Sequence, residues 1–466
     1  MNSATPKPRP SLTEGPIAKS LFFFTLPILF GNVLQSLNGS VNAMWIGHYL
    51  GEAALTAAAN SNALLFFLIA SVMGIGMAAT ILVGQSLGAK NIEQAKRVVG
   101  TSFSFFVSIS IVVAVLGLVF AEHLMVLMRT PHDALPLAVA YLRVIFLAMP
   151  FQFSYIYLMM ILRGAGDTKT PLKFQFLSVG LDIALNPVFM FGLGPIPALG
   201  IAGSATATLV AQSISLTALL TYLYRKKHFL CLHKGESHYL RPDSVILKSL
   251  IFKGMPMGLQ MVVVSLSMIG MISLVNRFGS NTSAAYGACL QLWNYVQMPA
   301  LAVGMAVSSM AAQNIGARRL DRVERIAKVG VGFNFLMTGG LVTLIYLFNH
   351  AALSLFLPQQ LDTLPLAQHI NAMVAWSFVL LGITFVLSSV TRAAGAVVPP
   401  LIILFIALWC IRLPFAAFMT STWGADALWI SFGVGSMSAV LMSLAYFRFG
   451  GWRNAHMLIE KKTAVA

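Results

Sequence analysis

The chain has 466 residues, 58% of them hydrophobic and only 9% charged, with a mean hydropathy of +0.81. A soluble domain carries about a quarter of its residues as charged side chains, so a water-exposed globular surface is excluded. The formal charge of +16 comes from Lys and Arg lying between apolar runs, without interleaved aromatics, zinc spacing or an RNA-binding signature, which excludes a nucleic-acid partner.

The N-terminal tail, Met1 to Lys19, is polar and Pro-rich, and the first apolar run is broken by Asn32, Gln35 and Asn38 with no small-residue cleavage site after it. It reads as a retained first helix. From there the charges, prolines and glycines cut the chain into twelve apolar runs of membrane length, approximately 17–40, 53–83, 94–120, 135–162, 172–193, 200–224, 250–276, 283–312, 325–349, 366–390, 397–419 and 427–447, near the roughly 20 residues that cross a hydrocarbon core as helix. The fold class is therefore all-α integral membrane. Of the 30 Lys and Arg, 26 fall on the side of the N-terminus, leaving Arg129, Arg143, Arg277 and Arg412 opposite. The positive-inside rule then predicts a multi-pass protein of the cell (inner) membrane with both termini cytoplasmic, its basic loops facing anionic lipid headgroups.

Helix 1 carries Asn32, Gln35, Asn38 and Asn42 at steps of three, three and four, a polar stripe on one face that must turn away from lipid toward helix 5 and a cavity of the N-terminal half. Such amides either bind a polar cargo or hold helices together. Pro27, in the same helix, removes a backbone hydrogen bond and is either a hinge or a fixed kink. Of the fourteen acidic residues, thirteen fall in loops or at span ends, Asp362 and Glu460 among them, and only Asp182 lies mid-helix, in the fifth span. An ionisable group at that depth costs several kcal/mol and is by default functional; a desolvated carboxyl can exchange a proton as its surroundings open and close. Asp182 is thus the candidate proton-coupling residue, the competing reading being a structural hydrogen bond to Asn186, one turn on.

Beyond helix 4, Arg163, Asp167 and Lys169 are expected to form a charge network at the membrane edge. His228, His233 and His238, near Cys231, have no ligand spacing, and Cys231, Cys289 and Cys410 form no disulfide framework; neither metal nor cofactor is implied. Arg143 and Arg412 are the only basic residues expected near the interior, and Gln260, Gln291, Asn294, Gln297, Trp293 and Tyr295 the notable polar and aromatic residues of the second half.

The two halves repeat. Pro27 and Pro256 are 229 apart, Gly76 and Gly304 228, Gly88-Ala89 and Gly316-Ala317 228, and RGAGDTKTP from Arg163 falls on RAAGAVVPP from Arg392 at 229. Six spans per half is an even number, so the halves enter the membrane in the same direction, as two six-helix lobes related by a pseudo-two-fold axis along the membrane normal. The expected division is an N-lobe at 1–224, a cytoplasmic linker at 225–249 and a C-lobe at 250–466. No GxSxG elbow, phosphate loop, HExxH or ATP-binding motif appears, so the chain does not read as an enzyme.

These segments resemble the multidrug and toxic compound extrusion (MATE) transporters, in the DinF-like branch. The likeness covers nearly the whole chain and is carried by Pro27, IGHYLGEAAL from Ile46, GQSLGAKN from Gly84, RGAGDTKTP from Arg163, and NPVFMFG and GIAGSATAT between Asn186 and Thr208. It implies a V-shaped fold that exports organic, often cationic, compounds against inward proton or sodium flow. It also puts Gln35, Asn38, Asn42, Asp182, Asn186 and Ser204 on cavity positions. The DinF-like pattern has an acid where this chain has Asn42, and Ala396 replaces the second half's acid, so the resemblance favours proton over sodium coupling. The expected protein is a monomeric, proton-coupled exporter of amphipathic cations; a flippase for lipid-linked precursors and a Na+-coupled exporter are the alternatives.

Overall fold

The computed structural model describes residues 12–195, 197–233, 235–357 and 363–458. Asp362 and Glu460 lie outside these residues. Nine long helices follow one another: α1 Ile17–Leu50, α2 Glu52–Gly88, α3 Ile92–Leu127, α4 Leu135–Gly164, α5 Lys169–Phe191, α6 Ile201–Arg225, α7 Ser244–Val275, α8 Ser280–Gly316 and α9 Leu320–Leu347. After them come α10 Asn349–Ser354, α11 Thr363–Val374, α12 Ser377–Ala394, α13 Val398–Phe405, α14 Leu413–Trp423 and α15 Asp426–Phe449. Among the described residues twelve helices are long and apolar enough to cross a membrane, with α13 and α14 counting as one span.

Three boundaries differ from the hydropathy reading, each for a local reason. α1 continues past residue 40 to Leu50, and the chain reverses into α2 through Gly51 alone, at φ +84°, a left-handed conformation that suits glycine. Trp45, His48 and Tyr49 end the apolar window but do not end the helix. The tenth span is broken between α11 and α12. There the Tyr346 hydroxyl accepts from the Trp376 N–H (3.1 Å) and donates to the Ala372 carbonyl (2.9 Å), replacing helical bonds that the backbone gives up. The eleventh span widens into a π-turn at Ile406–Arg412 between α13 and α14, directly before Pro414, which has no N–H to offer a regular helix.

The halves join over the ends of α2, α7 and α8 nearest the basic loops. The backbone of Gly74 lies against Gly254 and Gly258, and the ends of α2 and α8 touch backbone to backbone: a Cβ on Gly88 would stand 1.8 Å from the Gln313 carbonyl oxygen, and one on Gly316 would stand 1.9 Å from that of Gln85. Across this contact Gln85 Nε2 donates to the Ala393 carbonyl (2.7 Å) and Gln313 Nε2 to the Gly164 carbonyl (3.0 Å). The two donors are 228 residues apart and the two acceptors 229, so the bonds are counterparts under the internal repeat. The segment before α1 lies over the seam: Leu12 bonds Gln313 and Asn314, Arg319 Nη1 donates to the Thr13 carbonyl, and Arg322 Nη2 donates to those of Glu14 and Gly15. The basic face is shut.

Between α6 and α7 the chain runs along α3. Lys96 pairs with Glu236 at 2.6 Å, Ser104 donates to the Leu240 carbonyl, and the Tyr239 carbonyl passes so close to Gly100 that a Cβ there would stand 2.1 Å from it.

Candidate functional site

Asp182 sits on α5, whose start is fixed by Asp167. The Asp167 Oδ1 accepts from the backbone N–H groups of Lys169 and Thr170, both at 3.0 Å. This corrects the expected charge network: Asp167 caps a helix, and among the described residues it forms no ion pair with Arg163 or Lys169. Pro187 follows Asn186 inside α5 and cannot donate to the Ile183 carbonyl, so a backbone acceptor next to Asp182 loses its helical partner.

The Asp182 side chain is 3% exposed and accepts three hydrogen bonds. Asn38 Nδ2 and Asn42 Nδ2 of α1 donate to Oδ2 at 2.8 and 2.9 Å, and the Thr208 hydroxyl of α6 donates to Oδ1 at 2.9 Å. Asn186 does not bond Asp182. Its Nδ2 donates to Asn42 Oδ1 at 2.7 Å, so the i, i+4 bond of the competing reading is absent and Asn186 joins the network through α1. Asn38 Oδ1 and Asn186 Oδ1 are buried with no donor in reach.

Of the residues singled out by sequence, Asp182, Asn38, Asn42 and Asn186 form one connected network. Ser204 stands beside it, fully buried, its carbonyl accepting from the Thr208 hydroxyl at 3.3 Å. Gln35 is exposed and separate, paired with Gln175 of α5. Pro27 lies three turns before Asn38, inside an unbroken α1. Thr208 was missed, although it lies one turn after Ser204 on the same face. Tyr141 of α4 was missed too; it is buried within electrostatic reach of Asp182, and no sequence pattern marks it.

Two expectations about arginines are corrected. Arg143 is exposed on α4. Arg163 and Arg392, read as lying beyond their spans, occupy the last turns of α4 and α12 and are partly buried, Arg392 donating to Gln260 Oε1 (2.8 Å) and Ser389 Oγ (3.0 Å). Trp293, a candidate polar position of the second half, is a core residue bonded to Asn371 Oδ1 at 2.9 Å. Among the described residues no three His, Cys, Asp or Glu gather closely enough to hold a metal ion. Two grooves, of about 630 and 890 Å³, are lined by α11 with α15 and by α5 with α6; neither is lined by Asp182.

All three hydrogen bonds at Asp182 are donated to it, so in this arrangement its carboxyl oxygens act only as acceptors. If it takes a proton it becomes a donor itself, and the acceptors nearest to hand in the network are the two free amide oxygens of Asn38 and Asn186.

A duplicated helical bundle, closed on one face and holding, among the described residues, a single buried acid, has the architecture of an alternating-access membrane transporter. The MatE family profile matches residues 27–188 and again residues 256–418, and the chain therefore belongs to the MatE family, whose members are transporters and not enzymes. It is 39% identical over 92% of its length to the probable multidrug resistance protein YoeA of Bacillus subtilis, covering 93% of that protein. It is also 30% identical over 96% of its length to the probable multidrug resistance protein YpnP of the same organism, covering 99% of it. Among solved structures, a multidrug resistance MATE family transporter of the MOP superfamily in an outward-facing conformation superposes with a TM-score of 0.86 at 22% identity, over 94% of this chain and 96% of that one. A MATE in the bent conformation gives 0.85 at the same identity and coverage. At that identity the structural likeness shows the fold.

Proposed function

We propose that this chain exports amphipathic organic cations from the cell, exchanging them for protons that enter through Asp182. The observation that carries the reading is the Asp182 network: one buried acid, three donors from two neighbouring helices, and two idle acceptors beside it. Protonation turns an acceptor of three bonds into a donor and so changes what holds α1 against α5 and α6. Bonds to a charged group are worth about 1.5–3 kcal/mol each, enough to bias two conformations against each other. The cargo class follows the names of the relatives, which are called multidrug resistance proteins.

In this reading the N-lobe spans 1–224, the linker 225–249 and the C-lobe 250–466, with both termini cytoplasmic and the protein acting as a monomer in the inner membrane. The shut basic face is then the cytoplasmic gate. Asn38, Asn42 and Asn186 transmit the change, and Ser204 and Gln35 border the cargo path. Pro27 is a point at which α1 bends. Sodium coupling is disfavoured because Asp182 is the only buried carboxylate among the described residues.

A second reading rests on Arg163 and Arg392, partly buried at repeat-equivalent positions next to the clasp acceptors Gly164 and Ala393. Two such cations suit the anionic headgroup of a lipid-linked precursor. The test is uptake of a fluorescent cation into proteoliposomes under an imposed pH gradient, with a sodium-gradient arm and with Asp182→Asn alongside. The proposal expects pH-driven uptake in the wild type and its loss in the variant. Equal uptake by both proteins would refute the role of Asp182, and uptake driven by sodium alone would refute proton coupling.

A further inference from the structure

Arg412 is the first residue to weigh outside the N-terminal half. It closes the π-turn in the middle of the eleventh span and is 7% exposed, and its guanidinium lies face-on over Phe432 of α15, 3.5 Å from the ring centroid. That stacking satisfies the face of the cation and leaves its N–H groups pointing elsewhere. No acceptor among the described residues reaches Nε or Nη2. An unpaired buried cation is among the most costly arrangements a protein can hold.

Two further donors share its surroundings and its lack of partners. Tyr286 of α8, 2% exposed, stands within electrostatic reach of Arg412, and its hydroxyl has no partner. Trp429 of α15, fully buried, stacks on Tyr286 with ring centroids 5.6 Å apart, and its indole N–H has no partner either. The Tyr286 and Phe432 ring centroids are 6.4 Å apart. The acid closest in sequence, Asp426, is half-buried and already pairs with His369 at 2.9 Å. One buried positive charge and three side chains with idle donors thus gather in a single aromatic cluster, and no carboxylate among the described residues pairs with the charge.

We propose that the cluster of Arg412, Tyr286 and Trp429 is a binding site for a small monovalent inorganic anion, chloride in the first instance. A buried cation with idle N–H groups, beside an idle hydroxyl and an idle indole N–H, favours a ligand that accepts. A halide needs no particular geometry from its donors and fits among closely packed rings, where a larger oxyanion or a headgroup would not. The bound anion neutralises Arg412 and ties α8 and α15 to the π-turn.

The test uses the full chain, purified in detergent at constant ionic strength, with chloride replaced stepwise by gluconate. Chloride should raise the melting midpoint of the wild type saturably. Bromide, which quenches indole fluorescence on contact, should quench a saturable fraction of the emission. Arg412→Met should abolish both responses, and Tyr286→Phe, which removes one hydroxyl and keeps the ring, should weaken apparent chloride affinity about tenfold. A wild-type midpoint indifferent to chloride, or a chloride response intact in Arg412→Met, overturns the proposal. Should Arg412→Met fail to fold, an unchanged affinity in Tyr286→Phe overturns it as well. None of these readouts depends on transport or on Asp182.

Discussion

Replacing Gly88 by alanine should loosen the shut basic face without touching either candidate site. The new Cβ would meet the Gln313 carbonyl oxygen at 1.8 Å and the Gln313 Cα at 2.9 Å, and backbone atoms cannot rotate aside as a flexible side chain could. Restoring an ordinary contact of 3.4 Å requires the ends of α2 and α8 to part by 3.4 − 1.8 = 1.6 Å. The same movement stretches the Gln313–Gly164 and Gln85–Ala393 bonds from 3.0 and 2.7 Å beyond hydrogen-bond range. Overpacking costs about 1–3 kcal/mol and each lost bond about 0.5–1.5 kcal/mol, so the closed state should be disfavoured by about 2–6 kcal/mol. Even the lower figure shifts the equilibrium about 30-fold. Hydrogen–deuterium exchange over residues 84–91 and 312–319 reads the change directly and should accelerate by more than about tenfold. Gly316→Ala should act alike, its Cβ standing 1.9 Å from the Gln85 carbonyl, whereas Gly339→Ala, with nothing within 4 Å, should leave exchange as it was. Wild-type exchange in Gly88→Ala would refute the claim that this backbone contact holds the face shut.

The connection between the halves offers two more tests. Gly100→Ala would push a Cβ to 2.1 Å from the Tyr239 carbonyl, so residues 236–243 should detach from α3 and become open to limited proteolysis while the twelve spans keep their helical circular dichroism. Glu236 is held below its ordinary value of 4.5, chiefly by the His233 backbone N–H and then by Lys96. Its contribution to docking is therefore complete above pH 4.5 and disappears as the pH falls through the lowered value. Proteolysis of that stretch should rise as acid is added through that window, and in Glu236→Gln the acid step should be absent.

Much of this architecture was legible because hydropathy and repetition are properties of the chain itself. The twelve spans follow from the scarcity of charge, and the offsets of 228 and 229 reappear in space as the crossed pairs Gln85–Ala393 and Gln313–Gly164. The amide stripe was legible for the same reason: Asn38 and Asn42 are one turn apart, so a helix must present them together. What sequence could not reveal depends on neighbours distant in the chain. Gln35 shares the stripe but finds Gln175, because α5 meets α1 there with a different residue. The break before α12 is made by the hydroxyl of Tyr346, thirty residues upstream of the N–H that it accepts from. Arg163 and Arg392 follow long apolar runs and so read as loop residues, while the helices in fact carry them inward by one more turn.

The clasp at the basic face is crossed, each glutamine belonging to one half and its acceptor to the other. A movement of the halves that keeps their two-fold relation cannot release one bond and spare its counterpart, since the two-fold operation exchanges them. Half-open forms are therefore poorly supported, and the passage should unlatch as a unit. For a protein that must never connect the two sides of a membrane at once, such indivisibility is a safeguard against leakage that duplication of the chain supplies at no extra length.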